Sequence, residues 1–162
     1  MRRMLVIVMA AVVAGCAGPA PEAPPPPLPP VRSVVSADPC LLLTTEQQRI
    51  VGLTRNGQSA AVAAGEPGRV CAFERPDGAG RVTVEVVRGT VVVIPTGTVV
   101  VMQDVSGFPG QHYRNPRADV CVVEVEPVAG QIVRVRVPGD DDDCSVGTRV
   151  AGLAIDTLRA AR

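Results

Sequence analysis

Residues 120–137 run Val120-Cys121-Val122-Val123-Glu124-Val125-Glu126, then Pro127-Val128-Ala129-Gly130, then Gln131-Ile132-Val133-Arg134-Val135-Arg136-Val137. Both flanks alternate apolar with polar residues, the period of a strand with one buried face, and the Pro/Gly break between them reads as a turn. The pair is an antiparallel hairpin. After Pro138-Gly139 and four aspartates the period changes, and Val146, Val150, Leu153, Ala154 and Leu158 recur at helical spacing as far as Arg162. A hairpin followed by a helix with one apolar stripe predicts a sheet with a helix packed against it.

Upstream lies a second hairpin. Val70-Cys71-Ala72-Phe73-Glu74 alternates weakly, Pro76-Asp77-Gly78 is a turn signal, and Arg81-Val82-Thr83-Val84-Glu85-Val86 sets valines on one face against Arg, Thr and Glu on the other. Between the hairpins stands a near-repeat, Thr90-Val91-Val92-Val93-Ile94 and Thr98-Val99-Val100-Val101-Met102, separated by Pro95-Thr96-Gly97. Such β-branched runs fit strands buried on both faces, with Pro95 marking an edge or bend. Gln103 to Arg117 contains Gly107, Pro109, Gly110 and Pro116 and reads as a loop. Residues 54–68 read as a connection, with room for a short strand over Ala60 to Ala63.

Toward the N-terminus, Thr44 or Thr45 caps a helix over residues 44–52, whose Ile50, Val51 and Leu53 return to the side of Leu41, Leu42 and Leu43. The expected fold is α+β: one domain, residues 38–162, with a mainly antiparallel sheet packed by an N-terminal and a C-terminal helix. Hydrophobic residues make up 46% of the 162-residue chain and aromatics only 2%, so the core is built from Val, Leu, Ile and Ala.

Residues 1–37 differ in kind. Arg2-Arg3 precede an apolar run from Met4 to Ala14, which as a helix covers only about 16 Å of a hydrocarbon core about 30 Å thick. Charged start, short apolar run and small residues form the secretory pattern, here over residues 1–15. Val13-Ala14-Gly15-Cys16 looks like a bacterial lipobox, in which small residues admit the signal peptidase and the Cys16 thiol accepts a diacylglycerol. Two acyl chains make such anchoring stable. Residues 16–37 then form the lipidated cysteine and a tether whose prolines favour polyproline II. The expected location is the extracytoplasmic face of the cell membrane.

With Cys16 assigned to lipid, Cys40, Cys71, Cys121 and Cys144 remain, an even count in a disulfide-permissive compartment, and three pairings are open. The favoured one, Cys40 with Cys71 and Cys121 with Cys144, fastens a helix entrance to a strand twice. No CxxC spacing supports zinc or thiol redox chemistry, and His112 is the single histidine.

The sixteen basic residues are all arginine and balance sixteen acids, which gives no basic face for nucleic acid. Asp140-Asp141-Asp142-Asp143 offers oxygen ligands for a weak metal site, but the glycine and terminal glutamate of a calcium loop are missing. Aspartates just before a helix also meet its N-terminal dipole, and a solvated capping turn is the expected role. His112 lies near Asp104, Ser106 and Tyr113, a hydrolase-like set without the nucleophile-elbow pattern. No cofactor fingerprint is present. The segment Gln103 to Arg117 carries two of the three aromatics, and Phe108, His112, Tyr113 and Arg114 are the candidate partner-binding residues.

Several pieces together resemble a known family: the lipobox, the Pro-rich tether, Asp38-Pro39-Cys40-Leu41-Leu42 opening a helix, Cys71-Ala72-Phe73, the Val105-Ser106-Gly107 turn, Cys121-Val122-Val123 and a final helix entered at Cys144. They are similar to the actinobacterial lipoproteins built on domain of unknown function 3558. Phe73 stands where tryptophan is usual, and the middle is unusually rich in valine. The resemblance implies an α+β domain with an antiparallel sheet, two cysteine pairs and no established activity. The expected function is a non-enzymatic binding or accessory module for an envelope protein or small ligand. The alternatives are an envelope hydrolase using His112 and a structural module with a metal at the aspartate turn.

Overall fold

A computed structural model describes residues 30, 31, 33–54, 57–60, 68–76, 78, 80–89, 94–139 and 144–161. Seven strands, β1 (Gln58–Ala60), β2 (Gly68–Glu74), β3 (Arg81–Arg88), β4 (Val100–Val105), β5 (Phe108–Asn115), β6 (Val120–Val128) and β7 (Gln131–Pro138), form one sheet in the order β1-β2-β3-β7-β6-β5-β4. Every neighbouring pair is antiparallel. The two hairpins expected from alternation, β2–β3 and β6–β7, meet at the sheet centre through β3 and β7.

The pleat sends Val82, Val84 and Val86 of β3, Cys121, Val123 and Val125 of β6, and Val133, Val135 and Val137 of β7 to one face. There they form a single core with Phe73 and the helix α2 (Ser145–Ala160), which contributes Val150, Ala151, Ala154, Ile155 and Leu158. Each fully buried Val, Leu or Ile here contributes about 1.5–3 kcal/mol. Small residues at 151 and 154 let the helix backbone lie close to β7 and β6, its main neighbours in the sheet.

The N-terminal helix is shorter than residues 44–52. α1 spans Thr45–Ile50, closed by a capping box in which Thr44 Oγ1 accepts from Gln47 N at 3.2 Å and Gln47 Oε1 accepts from Thr44 N at 2.8 Å. It reaches α2 through Gln47, whose Nε2 donates to the Leu153 carbonyl at 3.2 Å. A 3-10 turn, Pro39–Leu41, is what meets β2 and β3. The helix covering the sheet is therefore α2, and one six-residue segment stands where a second was expected.

Packing starts ahead of Asp38. Val31 and Val34, placed in the tether by composition, belong to the core, and Gln131 Oε1 accepts from Val34 N at 2.8 Å and Val35 N at 3.2 Å. The signal, Cys16 and the tether up to Pro29 lie outside the described residues, as do residues 61–67, 90–93 and 140–143.

The middle of the chain corrects two expectations. Gln103 to Arg117 is not a loop: β4 and β5 form a third hairpin around Ser106-Gly107, where φ is 51° and 77°. Positive φ at both central positions matches the twist of the flanking strands. Val100–Met102, expected on a doubly buried strand, lies on the sheet edge, with Met102 70% exposed. The described part of the near-repeat from Ile94 to Val99 is not a strand.

Disulfides join Cys40 to Cys71 and Cys121 to Cys144, with Cα atoms 5.0 and 5.5 Å apart. This is the favoured pairing: the first ties the 3-10 turn to β2, the second ties the start of α2 to β6.

Candidate functional site

The face of the sheet away from α2 carries the polar halves of the same alternation. β3 places Glu85 there, β7 places Arg134 and Arg136, β6 places Glu124 and β5 places Gln111. Register sets Arg134 directly beside Glu85 on one side and Glu124 on the other. Its Nε donates to Glu124 Oε1 at 2.6 Å and its Nη1 to Glu85 Oε2 at 3.2 Å. Arg136 Nη1 lies 3.1 Å from Glu85 Oε1, and Gln111 Nε2 donates to Glu124 Oε2 at 2.8 Å.

Glu85, Glu124 and Arg134 are 3%, 3% and 5% exposed. A row of charges this deep persists only when each is paired, because an isolated buried ion costs several kcal/mol. Clefts lie on both sides of the row. One, of about 200 Å³, is bounded by Met102, Pro109, Gln111, Glu124, Glu126 and Ile132. The other, of about 360 Å³, is bounded by Val70, Arg81, Thr83, Glu85, Arg136 and Pro138. Each combines apolar walls with charged groups on a floor fixed by backbone pairing, a combination that suits amphipathic ligands.

The chain matches the family described as "Protein of unknown function (DUF3558)" over residues 11–157. It belongs to that family. No curated protein and no solved structure matches the chain. Among the described residues, no group of acidic, histidine or cysteine side chains is arranged to hold a metal ion, and no helix is long and apolar enough to cross a membrane.

In this DUF3558 domain the candidate residues of the 103–117 segment do not share a surface. His112 is buried on the α2 side, opposite Val101 and Val123, with Nδ1 lacking a hydrogen-bond partner. Tyr113 is buried on the other face, opposite Val122. Arg114 is half-buried and paired with Asp119. Phe108 is half-buried beneath Arg159, whose guanidinium carbon lies 4.7 Å from the ring centre.

Nor do His112, Ser106 and Asp104 converge. Ser106 sits at the hairpin tip with Oγ donating to the Gly152 carbonyl, and Asp104 Oδ1 accepts from Gly107 N at 2.7 Å, so its carboxylate serves the turn. His112 lies four residues along β5 from Phe108, about 13 Å at strand rise. The four aspartates fall outside the described residues.

The tip itself is clamped. Arg159 also donates to the Ser106 carbonyl, and a Cβ on Gly152 would come 3.2 Å from Ser106 Oγ, so glycine lets the turn approach the helix. Arg159→Ala removes this clamp and is expected to cost about 1–2 kcal/mol. Amide exchange should quicken at Val105 to Gly110 ahead of β6 and β7; unchanged protection at the tip would contradict the clamp.

Alternation alone reads Glu85, Glu124 and Arg134 as solvent-facing. The missed signal is that opposite charges occupy matching phases of three strands that become neighbours.

Proposed function

We propose that this DUF3558 chain is an envelope lipoprotein, held at the extracytoplasmic membrane surface through Cys16, and that its domain is a non-enzymatic binding or accessory module. The pairing of all four other cysteines carries the reading: with Cys16 set aside for lipid, each remaining thiol is used in a disulfide, as suits an oxidising compartment. The lipobox and the actinobacterial resemblance point the same way.

The ligand-facing surface in this reading is the charged row with its two clefts. The segment Gln103 to Arg117 contributes Pro109 and Gln111 to the smaller cleft, in place of Phe108, His112 and Tyr113. An extended tether lets that face stand away from the bilayer.

Cell fractionation with intact-mass analysis tests the reading. The mature chain is expected in the membrane fraction, beginning at Cys16 and heavier by a diacylglycerol, while Cys16→Ser moves it to the soluble fraction. An unmodified mature chain with a free Cys16 thiol would sink it. Crosslinking in intact cells, with Cys16→Ser as the control, then identifies the partner.

A further inference from the structure

The two edges of the sheet are built differently. β1 is described over three residues, Gln58-Ser59-Ala60, two of them polar. β4 runs for six residues, and Val99 with its first half, Val100-Val101-Met102, carries no charge; Val99, Val101 and Met102 are 78%, 43% and 70% exposed.

The hairpin fixes which backbone groups are free. Val105 and Phe108 close the two-residue turn, so odd-numbered residues of β4 direct their N–H and C=O groups toward β5. Even-numbered residues Val100, Met102 and Asp104 direct theirs outward.

We propose that β4 pairs antiparallel with β4 of a second copy of the chain, with Val101 opposite Val101 across a two-fold axis. In that register Val100 and Met102 of the two copies exchange backbone hydrogen bonds, and Val99 lies opposite Gln103. The one charged residue of the strand, Asp104, faces Thr98, so no like charges meet. A shift by two residues in one direction sets Asp104 against Val100; in the other it sets Gln103 and Asp104 against Gly97 and Thr96, which form a turn with Gly97 at φ 84°. A shift by one puts each strand's α2-side residues on the wrong face. The strand is thus self-complementary in one register, as a two-fold interface requires. A pair of edges buries less than the roughly 800 Å² per partner of a stable interface, so the dimer depends on concentration.

Native mass spectrometry of the full-length chain, released from detergent at about 100 μM, tests the pairing. Val101 is 43% exposed, so both Val101→Glu and Val101→Lys leave the core intact. The unaltered chain is expected to give dimers, and each variant alone at least about tenfold fewer, because like charges then stand opposite each other. Mixing differently tagged Val101→Glu and Val101→Lys chains restores a heterodimer. A monomeric unaltered chain, equal dimer in all samples, or a mixture no better than either variant alone would each overturn the proposal. Since dimer formation is read apart from lipid attachment, it fails or stands independently of the anchoring at Cys16.

Discussion

Arg134→Met is expected to lower the unfolding free energy by about 3–5 kcal/mol. The substitution keeps the length of the side chain but removes the cation that Glu85 and Glu124 share at 3.2 and 2.6 Å. Arg136 still reaches Glu85, and Gln111 still reaches Glu124, but both carboxylates remain at 3% exposure with too little positive charge between them. Removing one partner of a buried network costs far more than the network contributes, since the stranded charge keeps its desolvation penalty. Replacing all three residues together, Glu85→Leu, Arg134→Met and Glu124→Leu, should therefore return stability to within about 1 kcal/mol of the starting chain. Urea unfolding measures both. An Arg134→Met midpoint equal to that of the unaltered chain would mean that the row is solvated in solution.

Loss of the disulfides is the second large effect. The bridges close separations of 31 and 23 residues, and each is expected to contribute about 3 kcal/mol. Their combined loss, about 6 kcal/mol, is comparable to the 5–15 kcal/mol that holds a whole domain folded. Cys121→Ser with Cys144→Ser should lower the thermal midpoint and free the start of α2, where Cys144 has positive φ and no side-chain cap bond. Reduction of both pairs should leave the chain largely unfolded at 37 °C. Thermal melts with and without reductant check this, and a midpoint unmoved by reduction would show that the sheet and α2 hold without the bridges.

What was legible in the sequence was whatever obeys a local period. Val82, Val84 and Val86, then Val133, Val135 and Val137, announce their strands and their buried face, and the spacing from Val146 to Leu158 announces α2. The segment around Pro109 and Gly110 reads from sequence as a loop because Pro and Gly ordinarily interrupt strands. Here Pro109 precedes the first β6 pair, Gly110 with Val125, so its missing N–H leaves no rung of that ladder unfilled. Gly110 is required because a Cβ would lie 2.9 Å from the Glu124 carbonyl. The valines leading into β4 misled in the opposite sense, since composition reports a taste for strand but not how many neighbours the strand has. The charged row was hidden for a related reason: Glu85 and Arg134 are 49 residues apart, and only the strand order makes them adjacent.

That strand order also governs when the molecule can be finished. β3 takes as its neighbour the last strand of the chain, β7, and not the next one in sequence. As the chain emerges N-terminus first into the compartment where it folds, the β2–β3 hairpin must wait with an open side until residues 131–138 arrive, and β4, β5 and β6 have no central strand to join. A chain truncated before β7 therefore lacks the strand that joins the two halves of the sheet, and assembly closes only once the whole domain is present, paced by distant contacts.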